Sequence, residues 1–283
     1  MKNDIVPIIE AAALLDLQKN ENLVLVAVTT GPNAQELYQK KHLDNAFFLD
    51  LTTQLSNIKE DFAQGGRHPL PEIAVFAQLL GSIGVSPDSH VVVYDDKNGA
   101  NAAARLWWML KAIGHIKVQV LNGGIQAAEK IGYPINDKVV TAKEVSPYPF
   151  STWQLAMATI EEVADQSENE DYLVIDVREA YRYNGESEPI DLVAGHIPGA
   201  VNVPLTTNLS DDGLFLSPSA LKEKYQNLMG NRNSENTIVH CGSGVTACHT
   251  LLAMDYAGLE IPKLYVGSWS EWSRNDKVIA TEL

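Results

Sequence analysis

The stretch N-T-I-V-H-C-G-S-G-V-T-A-C-H (236–249) changes its character halfway along. Thr237 to His240 is a short apolar, β-branched run of the kind that forms a buried strand. A helical pattern begins near Thr246 or Ala247 and places Cys248 on one face with Leu251 and Leu252, at i+3 and i+4. Between them Gly242 and Gly244 let the backbone curl tightly and turn its N–H groups inward. A strand, a tight loop and a helix form the unit from which α/β domains with parallel sheets are built. Cys241 therefore stands at the carboxyl end of a strand, where open α/β sheets place their ligand crevice.

Working outward, the chain repeats itself. The strand-like run Leu23 to Val28 matches Tyr172 to Val177, and H-L-D-N-A (42–46) matches H-I-P-G-A (196–200). V-V-V-Y, ending at Tyr94, matches T-I-V-H, ending at His240. The helical stretch Ala102 to Ile113 matches Ala247 to Ala257, and V-Q-V-L-N-G-G (118–124) matches K-L-Y-V-G-S (263–268). Short apolar strands alternating with amphipathic helices predict two tandem α/β domains, each a mainly parallel sheet flanked by helices. We expect a first domain over 1–140, a linker over 141–152 (T-A-K-E-V-S-P-Y-P-F with its two prolines lies here), and a second domain over 153–283. Thr159, with Glu162 three residues on, reads as a capping box opening the second domain's first helix.

Composition narrows the function. With 283 residues, 45% apolar and 20% charged, the chain is long enough for two cores and shows no bias towards disorder. The formal charge of −15 argues against a nucleic-acid partner, and any anionic substrate must be drawn in by a local positive field. No apolar run reaches the roughly 18 residues of a membrane span, and the N-terminal residues lack a signal peptide's apolar stretch. We therefore expect a cytoplasmic protein with no membrane partner. Two cysteines, Cys241 and Cys248, make no disulfide framework and no zinc cluster, so reduced thiols and no metal are expected.

In such a loop a thiol meets converging amides and the positive end of a helix, which together favour sulfur anions. A tyrosine phosphatase uses a similar loop, but needs an arginine six residues after its cysteine; Ala247 stands there. That alternative fails.

C-G-S-G-V-T (241–246), G-H-I-P-G-A-V-N-V-P (195–204), V-G-S-W-S-E-W (266–272), Y-D-D-K-N-G-A-N-A-A-A-R-L-W-W (94–108) and G-G-R-H-P-L-P (65–71) together resemble the tandem-domain rhodaneses and 3-mercaptopyruvate sulfurtransferases. The resemblance runs over nearly the whole chain. It implies a ping-pong sulfurtransferase with its site in a cleft between a non-catalytic first domain and a catalytic second one. In that scheme Cys241 carries sulfur as a persulfide, with no further cofactor. The acceptor would be cyanide, a small thiol or a protein thiol, a thioredoxin-like protein among them. The backbone of Gly242, Gly244, Val245 and Thr246 would bind the anion, and Arg182 of D-V-R-E-A-Y-R-Y (176–183) would orient the donor. Ser243, His68 and an acid, Asp61 being the nearest candidate, would handle the proton. Asp61 lies closer to His68 in sequence than the family pattern has it. Gly242 and Ser243, where thiosulfate enzymes carry arginine and lysine, favour mercaptopyruvate; thiosulfate and a relay module with little small-donor turnover are the alternatives. The chain departs from the pattern at Ile190, where a second arginine is expected, and Arg67 is a substitute for its charge. Arg178 and His196 are expected to be structural, Cys248 a core residue, and Trp269 and Trp272 packing behind the site. His240 and His249, flanking the loop, are also expected to be structural. Asp95 holds the place of Cys241 in the first half and cannot accept sulfur.

Overall fold

The computed structural model of the chain describes residues 5–97, 99–100 and 102–282. Its strands are β1 (Ile8–Ile9), β2 (Leu23–Thr29), β3 (His42–Leu43), β4 (Ala46–Asp50), β5 (His90–Tyr94), β6 (Val118–Leu121), β7 (Ile135–Asn136), β8 (Met157–Ala158), β9 (Leu173–Asp176), β10 (Val201–Asn202), β11 (Thr237–His240) and β12 (Lys263–Tyr265). They form two five-stranded sheets, ordered β1-β6-β5-β2-β4 and β8-β12-β11-β9-β10, together with the small antiparallel pair β3–β7. Every pairing within the two large sheets is parallel. The two orders are the same when read in chain order, so the sequence repeat is a repeat of topology. The expected α/β class with mainly parallel sheets is what the chain forms.

The central strands are buried on both faces, as parallel strands between helices must be. Val91, Val92 and Val93 of β5, and Ile238 and Val239 of β11, have no solvent exposure. Each strand feeds a helix that is itself buried: Ala102–Ala112 after β5 and Ala247–Tyr256 after β11. These bounds lie within a residue of those read from the sequence. The capping residue Thr159 accepts a hydrogen bond from Glu162 N–H at the start of helix Ile160–Gln166.

The repeat extends to buried polar detail. His42 stacks on Tyr38 with ring centroids 4.2 Å apart, and His196 stacks on Tyr183 at 3.7 Å. In each pair the histidine Nδ1 meets the tyrosine's backbone carbonyl, at 2.8 and 2.9 Å. Because a carbonyl only accepts, Nδ1 carries the proton in both rings. Each histidine also sits in an antiparallel pairing, His42 with Asn136 and His196 with Ala280. These are folding features, as expected for His196.

The chain divides into two compact units that exchange short segments. One comprises 1–57, 71–154 and 211–215; the other comprises 58–70, 155–210 and 216–283. Segment 58–70 is bound within the second unit by backbone and side-chain bonds. Gly65 N–H donates to Glu271 Oε1 at 2.8 Å, Arg67 N–H to Ser270 Oγ at 3.0 Å, and Asn275 Nδ2 to the Ala63 carbonyl at 3.1 Å. Gly66, at φ +78°, lies so near the Gly267 carbonyl that a Cβ there would approach its oxygen to 2.3 Å. Among the described residues no helix is long and apolar enough to cross a membrane.

Two buried histidines set a pH limit on this fold. Burial pushes His249 down to about 3 and His115 to about 4. Both remain neutral in the folded chain while unfolded imidazoles take protons near pH 6.5, so the unfolded state binds more protons as pH falls. Stability is therefore complete above about pH 7 and declines as pH drops from there, by about 1.4 kcal/mol per pH unit for each histidine. Melting temperature followed from pH 7 to pH 4.5 should fall steadily; a flat profile contradicts the assignment.

Candidate functional site

β11 delivers Cys241 to the carboxyl edge of its sheet, next to β9 and β12. The loop is held from below by the Ser268–Trp272 helix. Cys241 N–H donates to Ser268 Oγ at 3.2 Å, Trp269 N–H to the Cys241 carbonyl at 3.0 Å, and Ser270 N–H to the Gly242 carbonyl at 2.8 Å. Ser268 in turn donates to the Tyr265 carbonyl at 2.8 Å, tying the loop to β12. Gly244 is needed where it stands. Its φ is +71°, and a Cβ would come within 2.4 Å of the Val266 carbonyl oxygen.

These bonds use the loop's carbonyls and leave its amides. Among the described residues the N–H groups of Gly242, Ser243, Val245 and Thr246 donate to no protein acceptor. Residues 242–245 are buried, Thr246 is half-buried, and Cys241 is 1% exposed. The first unit shows what such a loop does when it carries a carboxylate. Asp95, directly after β5, accepts from the N–H groups of Lys97 at 3.0 Å, Gly99 at 2.8 Å and Ala103 at 3.2 Å. There the loop amides close upon an anion of the chain itself. In the second unit a thiol takes the carboxylate's place and the amides remain available.

Positive charge lies on the Gly242 side. A Cβ on Gly242 would be 3.1 Å from Arg67 Nη2 and 3.4 Å from Arg182 Nη2. Arg182 is held by Glu188, with Nε–Oε1 at 3.0 Å, Nε–Oε2 at 2.9 Å and Nη2–Oε1 at 2.8 Å. Burial works against the Arg182 charge, but Glu188, Asp191 and the Cys241 sulfur outweigh it and raise its pKa. Glu188 responds in the opposite sense: burial pushes it up, and Arg182 with nearby backbone amides brings it below the usual carboxylate range.

His68 Nδ1 lies 2.8 Å from Ser243 Oγ, which joins two of the residues expected to move a proton. Asp61 is placed otherwise: its exposed carboxylate accepts from Ala63 N–H at 2.9 Å, shaping the local turn. Gly242, Ser243, Gly244, Val245 and Thr246 lie in the loop as read from the sequence. Arg178 is structural, donating to both Asp176 oxygens, to the Gly195 carbonyl at 2.6 Å and to Glu188 at 3.3 Å, with its guanidinium 4.5 Å from the Trp269 ring centroid. Asp176 is fully buried, and although burial opposes ionisation its pKa is held low. Burial keeps His240, 3.7 Å away, neutral, so we attribute the Asp176 charge to Arg178. Trp269 and Trp272 pack in the core behind the loop, and Cys248 is buried with its thiol donating to the Gly244 carbonyl at 3.4 Å. Ile190 is 54% exposed.

Sequence reading missed Asp191, Arg274 and the serines Ser268 and Ser270. Asp191 has a fully buried side chain that accepts from Arg67 Nε and Arg274 Nη1, both at 3.0 Å, and from Arg182 Nη2 at 3.4 Å. Nothing in the sequence marks it, because Arg67 and Arg274, two of its three partners, lie far from it along the chain. Among the described residues no group of three or more His, Cys, Asp and Glu side chains could hold a metal ion.

The model of the rhodanese-like domain matches residues 10–130 and 159–275. A Pseudomonas aeruginosa protein named as a probable 3-mercaptopyruvate sulfurtransferase is 40% identical over 240 residues, covering 83% of this chain and 82% of its own. Rat thiosulfate sulfurtransferase is 35% identical over 245 residues, covering 85% and 80%. Among solved structures, 3-mercaptopyruvate sulfurtransferase from Leishmania major superposes with a TM-score of 0.81 at 28% identity, over 94% of this chain and 74% of that one.

The loop geometry makes a simple comparison testable. Gly244→Ala should lower the unfolding free energy by about 1–3 kcal/mol, because it meets both a positive φ and a carbonyl. Gly242→Ala, whose Cβ would meet the ends of the Arg67, Arg182 and Asp191 side chains and no backbone atom, should cost much less. Urea unfolding of the two variants measures this; equal losses would contradict the loop as described.

Proposed function

On the premise that this chain belongs to the rhodanese family of sulfurtransferases, we propose that it takes sulfur from 3-mercaptopyruvate onto Cys241 and passes it to a thiophilic acceptor. The observation that carries this reading is that the N–H groups of Gly242, Ser243, Val245 and Thr246 donate to no protein acceptor among the described residues, while in the first unit the N–H groups of Lys97, Gly99 and Ala103 donate to Asp95. Peptide N–H groups that face an anion without rearranging stabilise it at little reorganisation cost.

The steps follow from the groups in place. The Cys241 thiolate attacks the donor sulfur; the new S–S bond forms as the donor's C–S bond breaks, and the electron pair leaves as the enolate of pyruvate. The donor's thiol proton ends on the enolate carbon, and the Ser243 hydroxyl with His68 at 2.8 Å is the pair that relays it. Arg182 receives the donor carboxylate. The persulfide anion then rests in the amide loop until an acceptor thiolate or cyanide attacks its outer sulfur and the Cys241 thiolate returns. No further cofactor enters this scheme. A small thiol or a thioredoxin-like protein thiol fits the acceptor's part, and the thiolate chemistry suits a reducing cytoplasm.

Thiosulfate is the second reading, favoured by the 35% identical relative that carries that name. The two donors make different demands, since an enolate must be protonated and departing sulfite need not be. Intact-mass analysis after mixing with each donor should show a gain of one sulfur atom with mercaptopyruvate, absent in Cys241→Ser. Ser243→Ala should slow that loading by about 100-fold or more, while leaving any loading from thiosulfate nearly unchanged. Loading from thiosulfate alone would replace our choice of donor, and loading from neither would favour a relay module.

A further inference from the structure

Two guanidinium groups, those of Arg67 and Arg182, reach the Gly242 face of the loop from separate segments of the sequence. Asp191 binds both. Its Oδ1 accepts from Arg67 Nε at 3.0 Å, and its Oδ2 from Arg67 Nη2 at 3.3 Å and Arg182 Nη2 at 3.4 Å. A third arginine, Arg274, donates to Oδ1 at 3.0 Å and to the Ser270 carbonyl at 2.8 Å, which fixes the carboxylate further. The Asp191 side chain is fully buried, whereas those of Arg67 and Arg182 keep 19% and 11% of their surface exposed. Nη1 of Arg67 and Nη1 of Arg182 take part in no hydrogen bond among the described residues. The pair is thus held by Asp191, and each guanidinium keeps one nitrogen without a hydrogen bond among the described residues. Ile190 offers no charge at the position where a second arginine was expected.

We infer that Arg67 is the second cation of the donor-anion site, forming with Arg182 a two-arginine clamp for a monocarboxylate, and that Asp191 is its positioning residue. This rests on the proposed mercaptopyruvate reaction for the identity of the anion, though not for the existence of the clamp. A 2-oxo acid then binds with its carboxylate across the two Nη1 groups and its reacting end towards Cys241. Forked donors match a carboxylate's two oxygens, which a lysine at position 67 would do poorly. The clamp also supplies the local positive field that a chain of net charge −15 needs to attract an anion.

The test uses oxamate, an unreactive 2-oxo monocarboxylate, and oxamide, its uncharged counterpart. Each is added while Cys241 is alkylated by iodoacetamide, alongside donor kinetics with mercaptopyruvate and with mercaptoacetone, which lacks the carboxylate. In the native protein oxamate should protect Cys241 and oxamide should not. Arg67→Gln should weaken oxamate protection about 10- to 100-fold and lower the preference for mercaptopyruvate over mercaptoacetone by a similar factor. Arg67→Lys, which keeps a charge beside Asp191, should fold as the native chain does and show a smaller loss. Oxamate protection unchanged within about twofold in both variants, or oxamide protecting as well as oxamate, overturns the inference. Should the native protein load from neither donor while Arg67-dependent protection persists, the clamp stands and the donor assignment falls.

Discussion

Everything at this site depends on a loop in which the N–H groups of Gly242, Ser243, Val245 and Thr246 donate to no protein acceptor among the described residues. A buried N–H without an acceptor is costly, so a fold keeps several together only where something else pins the loop. Here the pinning comes through the carbonyls of Cys241 and Gly242, the Ser268 hydroxyl and the close approach of Gly244 to the Val266 carbonyl. These contacts anchor the loop to β11, β12 and the Ser268–Trp272 helix.

Duplication makes the same physics visible twice. Both halves set a short loop after the middle strand of a five-stranded parallel sheet and follow it with a buried helix. In the first half Asp95 fills its own loop with a carboxylate, which makes that loop a self-satisfied structural element. In the second a side chain one atom long beyond Cβ leaves the space for chemistry. The two halves thus differ in which residue stands directly after the strand, Asp95 in one and Cys241 in the other.

Much of this was legible in the sequence because it is local. Strand composition, helical spacing and the self-match located both sheets, and the ends of the helices after β5 and β11 fell within a residue of expectation. Gly242 and Gly244 marked a tight loop, in which Gly244 takes a positive φ, and the resemblance led to His68 and Ser243, which meet at 2.8 Å. What stayed hidden is long-range. That 58–70 folds with the second unit depends on Glu271, Ser270 and Asn275, two hundred residues away. Asp191 gains its importance only when three arginines from separate segments converge upon it. Asp61, chosen for nearness in sequence, spends its carboxylate on a turn.

The most direct test of the central claim observes the amides themselves. With uniformly nitrogen-15-labelled protein, NMR spectra before and after sulfur loading should show the amide protons of Gly242, Ser243, Val245 and Thr246 moving downfield together as they take up the sulfur anion. The amides of Lys97 and Gly99, already bound to Asp95, should stay where they are. Should the mass confirm loading on Cys241 while those four resonances remain fixed, the loop does not hold the sulfur and the account is wrong.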